Sequence, residues 1–337
     1  MPVSSARARP RVLSGIQPTG SLHIGNYLGA LRNWVREQDR YENYFCIVDL
    51  HALTVPQDPE VLRAKTLEVA ALYLASGLDP ARCEIFLQSH VAAHTQLGWI
   101  MECLTPMGWL ERMTQFKARS QAQGRERVGT GLFTYPALMA ADILLYDADL
   151  VPVGDDQRQH IEYSRDVAQR MNSMYGEGTV HVPAPLIRDA GARVMGLDDP
   201  TVKMSKSIGA ARPAHAIFML DPPDVIRRKV SRAQTDAEPA VRPPVGAGVA
   251  NLLDMYAALN DLSRDSAVEH FSSKPYSVLK SETADVLIGA LEPIQTRYAE
   301  LRADEAGLRR VLGESASRAR VVAAATLERV QHAVGLL

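Results

Sequence analysis

Cysteine is scarce: Cys46, Cys83 and Cys103 are the only three in 337 residues. They are widely spaced and form no C-x-x-C pair, which argues against a disulfide framework and against a cysteine-based zinc or iron–sulfur site. They read as buried free thiols. An excess of charge of one sign is missing too. Lys and Arg total 37 against 39 Asp and Glu, a net charge of -2, so the chain as a whole is not drawn to nucleic acid. A local basic face would not register in that total. Long apolar runs are also lacking, since the charge-free stretch from Ile85 to Met101 is interrupted by Gln88, Ser89, His90, His94, Thr95 and Gln96. That excludes a membrane span there. The basic start (Arg7, Arg9, Arg11) is not followed by the apolar core of a secretion signal. A cytoplasmic protein with no membrane partner is expected.

What is present is an ordinary globular composition, 46% hydrophobic and 23% charged. At about 150 residues per domain, the length suggests roughly two domains. In the N-terminal half, short strand-like runs alternate with helical patterns, as in a parallel sheet covered by helices. The strand candidates are Arg11 to Ile16, Tyr44 to Asp49, Cys83 to Gln88, Asp149 to Val153 and Thr179 to Pro183. Leu28, Leu31 and Val35 predict a helix from about Asn26 to Gln38. A second helix is marked by Asp58 as N-cap, Pro59, Glu60 and a terminating Gly77. The expected fold is an α/β, Rossmann-like doubly wound parallel sheet followed by a C-terminal helical bundle.

Beyond Ile208 the strand signals stop. Leu287, Leu291, Ile294, Tyr298 and Leu301 recur at helical spacing, and so do Ala323, Leu327, Val330 and Val334. The expected division is therefore a catalytic unit over 1–207, with a helical insertion around 94–150, and a helical unit over 208–337. Thr235 to Gly248 reads as an exposed loop, and Gln121 to Gly131 as a mobile one.

Two short motifs carry the chemistry. GIQPTGSLHIGNYLGA, Gly15 to Ala30, lies between the first strand and its helix. Gly25 and Gly29, four apart, would clear one helix face for a flat ligand. His23 stands just before a helix N-terminus, where anions are favoured. A glycine-rich turn with an incidental histidine is the alternative. No G-x-G-x-x-G occurs here and no G-x-x-x-x-G-K-[ST] anywhere, which removes the main support for dinucleotide and P-loop sites. The second motif is KMSKS, Lys203 to Ser207, whose two lysines could neutralise a departing pyrophosphate. A solvated basic linker is the alternative.

HIGN followed by KMSKS at opposite ends of a β/α region resembles the paired signatures of class I aminoacyl-tRNA synthetases. SGIQPTGSLHIGNYLGAL, YFCIVDLHALT, ERMTQFK and TYPALMAADILLYDADLVPVGDDQRQHIE, in that order, narrow the resemblance to the tryptophanyl-tRNA synthetase family. It runs from about Val12 to the C-terminus, and Asn26 replaces the last histidine of the usual H-I-G-H.

The resemblance implies His23, Lys203 and Lys206 as the catalytic groups. ATP would be held by Gln17, Pro18, Thr19, Gly25, Asn26, Gly154, Asp155, Asp156 and Val194, with Lys203, Met204, Ser205, Lys206 and Ser207 as a mobile phosphate loop. Tryptophan would be held by Asp142, Met139, Tyr135, His51 and Gln157. Taken singly, Met139 is more often core filler than a ligand wall, and His51 more often a hydrogen-bonded core histidine. Asp142 lies inside the apolar run ALMAADILLY, where a carboxylate is costly to bury without a donor. The indole N–H, a donor only, is a suitable partner; an N-cap or an ion pair is the structural alternative. Side chains lacking that donor would be rejected without proofreading, and the chain has no room for a large editing insertion.

The implied reaction is attack of the tryptophan carboxylate on the α-phosphorus of ATP, followed by transfer to the terminal ribose of tRNA(Trp). Magnesium is expected to arrive with ATP, with no dedicated metal site, and Lys117 is a weaker candidate for the pyrophosphate charge. The resemblance also implies a homodimer and anticodon reading by the C-terminal helices, where Arg297, Arg302, Arg309, Arg310, Arg318 and Arg320 are available for phosphates. Competing readings are a tyrosyl-tRNA synthetase, a catalytically silent paralogue that binds RNA, and a small-molecule adenylyltransferase.

Overall fold

The computed structural model describes residues 8–114, 129–152, 154, 158–187, 193–237 and 240–337. Its centre is a five-stranded parallel sheet of β1 (Arg11–Ile16), β2 (Glu42–Ile47), β3 (Cys83–Leu87), β4 (Leu150–Pro152) and β5 (Ala184–Leu186), in the order β3-β2-β1-β4-β5. Arg11 to Ile16 pair with Glu42 to Ile47, and Asn43 to Ile47 pair with Cys83 to Leu87. A strand buried on both faces needs apolar residues in both phases of the pleat. Phe45, Ile47 and Ile85 accordingly join one core, while Tyr44, Cys46 and Phe86 join another. Trp34 stacks on Phe45 in the first core and Tyr44 on Tyr146 in the second, each pair 4.7 Å between centroids. Burying one such side chain contributes about 1.5–3 kcal/mol. The strand order reverses between β1 and β4, and ligands bind such sheets beyond the strand ends at that switch point.

The helix after β1 runs as α1 (Ile24–Asn26), a π turn (Tyr27–Leu31) and α2 (Arg32–Glu37). After β2 come α3 (Asp49–Ala52) and α4 (Pro59–Ala75). The Asp58 carboxylate accepts the N–H groups of Glu60 and Val61 as a cap, and Gly77 ends the turn at φ +107°. Helices α5 (Ala93–Leu104), α6 (Met107–Glu111) and α7 (Thr130–Leu144) then lead into β4, and α8 (Arg158–Tyr175) follows it.

Several expectations are corrected. β2 starts at Glu42 and ends at Ile47, because Asp49 already opens α3. The last strand is Ala184–Leu186 and not Thr179 to Pro183. Thr179 is held in a turn by its bond to the Gly176 carbonyl at 2.7 Å, and the Asn172 side chain takes both backbone groups of Val180 at 2.9 Å. Cys103 is exposed, unlike Cys46 and Cys83. The segment from Thr235 to Gly248 is not simply an exposed loop. Val241 is fully buried, and the Asp236 carboxylate accepts the Gly246 N–H at 2.6 Å. Most of the Gln121 to Gly131 stretch lies outside the described residues, and its end opens α7.

Beyond β5 the named elements among the described residues are helices, α9 (Lys206–Ala211), α10 (Pro223–Ser231), α11 (Ala247–Leu259), α12 (Arg264–Phe271), α13 (Tyr276–Ala303) and α14 (Glu305–Val334), joined by loops and isolated bridges. Leu287, Leu291 and Ile294 bury one face of α13 in the core shared with α4. Helix α14 returns to the sheet. Small residues, Ala316, Ala319 and Ala323, let it approach closely, and the Ser315 hydroxyl accepts the Ile85 N–H at 2.7 Å while donating to Glu84 at 2.6 Å. Among the described residues no helix is long and apolar enough to cross a membrane.

Candidate active site

At the C-terminal end of β1 the chain turns through Gln17, Pro18 and Thr19 to Gly20, whose φ of +66° favours glycine. His23 and Asn26 then form a reciprocal cap. The Gly25 N–H donates to His23 Nδ1 at 3.1 Å, and the His23 N–H donates to Asn26 Oδ1 at 3.0 Å. Asn at the fourth signature position thus supplies an acceptor that closes the cap. Burial, with Lys206 and Lys203 nearby, pulls the His23 imidazole down to about 4. It is neutral at physiological pH, and because Nδ1 accepts, Nε2 carries the proton and donates. Gly25 is closely contacted: a Cβ there would lie 2.9 Å from the His23 ring and 3.5 Å from Val194. Gly29, in contrast, faces open space. It lies within the π turn.

KMSKS forms one side of a short hairpin. Met195 bridges Lys203, the Met204 N–H donates to the Val194 carbonyl at 3.1 Å, and the Gly196 N–H donates to the Val202 carbonyl at 2.8 Å. Asn251 of α11 takes both backbone groups of Met195, at 2.8 and 3.0 Å. The His215 ring, paired with Asp198 at 2.6 Å, lies under Gly196, where a Cβ would come within 2.2 Å of it. Within the motif Lys203 and Ser207 are exposed, the Met204 side chain is in the core, and Ser205 caps α9 by accepting the Ile208 N–H. Lys206 reaches back to the signature turn and donates to the Gln17 carbonyl at 2.9 Å. Burial lowers its ammonium to about 8 against the opposing pull of Glu68. Lys65 of α4 stands beside it, bonded to Ser21 at 2.9 Å and to Glu68 at 2.7 Å.

A second cluster lies beyond the ends of β2 and β3. Asp142 of α7 is 3% exposed and accepts from Gln88 Nε2 and His94 Nδ1 on Oδ1, and from His51 Nε2 on Oδ2, each at 2.7 Å. Burial alone would raise its carboxyl, but His51 and His94 outweigh that and hold it at about 2. The carboxylate is charged and already has donors. Tyr135, Met139 and Asp142 fall on one face of α7 by spacing. Tyr135 sets its ring edge-on to His51 at 6.3 Å and bonds His160 Nε2 at 2.6 Å.

The structure thus joins Gln17 to Lys206, Gly25 to Val194, and His51 to Asp142 and Tyr135. Gly154 is exposed just past β4, while Asp155, Asp156, Gln157 and Lys117 lie outside the described residues. Lys65, Glu68, Gln88, His94, Tyr146, His215 and Asn251 were not anticipated. Apart from Lys65 and Glu68, which pair on α4, each comes from a separate helix, strand end or loop, so no local string marks it. Among the described residues no group of three or more His, Cys, Asp or Glu is arranged to hold a metal ion.

A doubly wound sheet with a histidine-capped turn after its first strand, and a lysine loop closing on that turn, defines a class I nucleotide-activating synthetase fold. The family model for tRNA synthetases class I (W and Y) matches residues 5–291. A tryptophan–tRNA ligase of Prochlorococcus marinus (strain MIT 9313) is 51% identical over 335 residues, 98% of each chain. The tryptophanyl-tRNA synthetase of Mycoplasma pneumoniae superposes with a TM-score of 0.87 at 33% identity, covering 97% of this chain and 98% of that one. That of Campylobacter jejuni, solved with ADP and tryptophan, gives 0.81 at 32% identity, covering 96% and 99%. The chain belongs to the class I tRNA synthetases of the W and Y family.

Proposed function

We propose that this chain is a tryptophan–tRNA ligase, which activates L-tryptophan with ATP and transfers it to tRNA(Trp). The observation that carries the tryptophan reading is Asp142. Three donors surround this buried, charged carboxylate, and they leave Oδ2 one acceptor position for a single N–H. The tyrosyl alternative is less well supported, because the similar proteins named above are tryptophan enzymes.

In this reading the tryptophan carboxylate attacks the α-phosphorus of ATP and pyrophosphate departs. The tRNA ribose hydroxyl then attacks the adenylate. No protein nucleophile is needed, so catalysis is positioning and charge stabilisation. ATP would lie over the turn from Gln17 to Thr19 and against Gly25, Asn26 and Val194, with Gly154, Asp155 and Asp156 on the adenosine side. His23 donates its Nε2 proton to a phosphate oxygen as a neutral group. Lys206 exchanges the Gln17 carbonyl for a phosphate, and Lys203 neutralises the departing pyrophosphate. Magnesium, carried in by ATP, supplies further charge there. Met139, Tyr135, His51 and Gln157 would wall the indole.

The unit over 1–207 would hold this chemistry and that over 208–337 the anticodon contact. Of the arginines expected there, Arg297 pairs with Glu300, Arg309 with Glu305 and Arg318 with Glu84, whereas Arg310 and Arg320 are exposed. A cytoplasmic homodimer completes the proposal. Exposed Trp99, Met107 and Met174 on α5, α6 and α8 are suited to a subunit contact. Sedimentation at twice the chain mass is expected. ATP–pyrophosphate exchange across the twenty amino acids tests the activity. Exchange with tryptophan is expected, and exchange with tyrosine alone would overturn the reading.

A further inference from the structure

His94, on α5, has no exposed surface and no place in the reaction described above. Its ring bridges two buried groups, with Nδ1 at 2.7 Å from Asp142 Oδ1 and Nε2 at 2.8 Å from the Tyr146 hydroxyl. The proton positions follow from the partners. The Asp142 carboxylate only accepts, so Nδ1 carries the hydrogen and donates to it, while Nε2 is held by the Tyr146 hydroxyl. Tyr146 is itself clamped, stacked on Tyr44 at 4.7 Å and tilted against Phe86 at 5.6 Å. Gln88 is fixed in the same way. Its amide oxygen accepts the Leu50 N–H at 3.1 Å, which turns its nitrogen toward Asp142.

Oδ1 of Asp142 therefore has both lone-pair positions filled, by Gln88 and His94, while Oδ2 has one filled, by His51. We propose that His94, oriented by Tyr146, is a specificity-determining positioning residue. By saturating Oδ1 it locks the carboxylate and leaves a single acceptor position, matched to one N–H of the substrate side chain. This rests on the reading that Asp142 faces tryptophan. An ordinary buried polar network would have the same hydrogen bonds but no bearing on which side chain is accepted.

The test is ATP–pyrophosphate exchange with tryptophan and with 3-(benzothienyl)alanine, in which sulfur replaces the indole N–H. His94→Leu removes the donor and frees Oδ1 to rotate or take water, so a missing substrate N–H no longer leaves the site unpaired. The tryptophan KM should rise about 10-fold, the scale of one hydrogen bond to a charged group, and discrimination against the sulfur analogue should fall by about the same factor. The ATP KM should stay unchanged. His94→Asn, whose amide nitrogen can replace Nδ1, should recover discrimination to within about threefold of wild type. Tyr146→Phe should lose about threefold. If His94→Leu does not fold, Tyr146→Phe alone decides. Unchanged discrimination in the folded variants, or equal losses for ATP and tryptophan, would overturn the inference while wild-type exchange with tryptophan stands. Absence of that wild-type exchange would remove the tryptophan reading and this inference together.

Discussion

The two ends of the candidate site are built by opposite means. At the phosphate end, backbone groups and lysines do the work. A capped turn presents the neutral His23, and Lys206 rests on the Gln17 carbonyl, a partner it can give up. At the carboxylate end, interlocked side chains surround Asp142, and none can move without stranding another. On the proposed reading, charge that must follow a leaving group would sit on a loop and discrimination between side chains in a core. A buried network of several hydrogen bonds is rigid, and a loop lysine resting on one backbone carbonyl is less so.

The largest expected effect breaks the phosphate end. Lys206→Ala should lower kcat for adenylate formation by about 10² to 10³-fold, the scale of one preorganised donor, with the tryptophan Kd little moved. Pre-steady-state adenylate formation and equilibrium tryptophan binding separate the two. Equal loss in both would point to a folding role.

Asp142→Asn should raise the tryptophan KM by about one to two decades and leave the ATP KM nearly unchanged. The structure adds a second consequence. The amide would set an NH2 group against the donors of Gln88, His94 or His51, so stability should fall by about 3 kcal/mol in denaturant titration. Lost stability with unaltered tryptophan selectivity would refute the pocket assignment.

Arg309→Ala combined with Arg310→Ala should weaken tRNA charging and flatten its salt dependence, while exchange is untouched. Part of the Arg309 charge is already met by Glu305 at 2.7 Å, so Arg310 should account for more of the loss. Uniform loss of charging and exchange would assign both residues to stability.

The smallest effect is on acid stability. The folded Asp142 carboxyl is held at about 2, below its ordinary 3.8, so the unfolded chain takes up the proton first as pH falls. The resulting stability, about 2 kcal/mol, is complete above pH 4 and lost between about 4 and 2. Melting curves of wild type and Asp142→Asn should converge over that window. Parallel curves would contradict a charged Asp142.

Much of the phosphate end was legible because its parts are contiguous: GIQPTGSLHIGN makes one turn and KMSKS one loop edge. β1 and β3 were legible because apolar runs ended at polar or glycine residues, and α4 because Asp58 and Gly77 are local signals. The supports were hidden. Lys65, Asn251 and His215 reach the site from α4, α11 and the chain before α10, joined only by folding. The Asp142 cluster draws on residues 51, 88, 94, 142 and 146, so the sequence displayed a costly carboxylate without its donors. β5 was misplaced because Val180 and Val182 look strand-like, while the side chain of Asn172 turns that segment.

The independence of the two ends is tested most directly by combining Lys206→Ala with Asp142→Asn and measuring kcat/KM for tryptophan in pyrophosphate exchange. Sites that share no partners act additively in free energy, so the double variant should show the product of the two single losses within about twofold. A double variant no worse than the weaker single variant would contradict it, because the lysine loop and the buried carboxylate would then act as one unit.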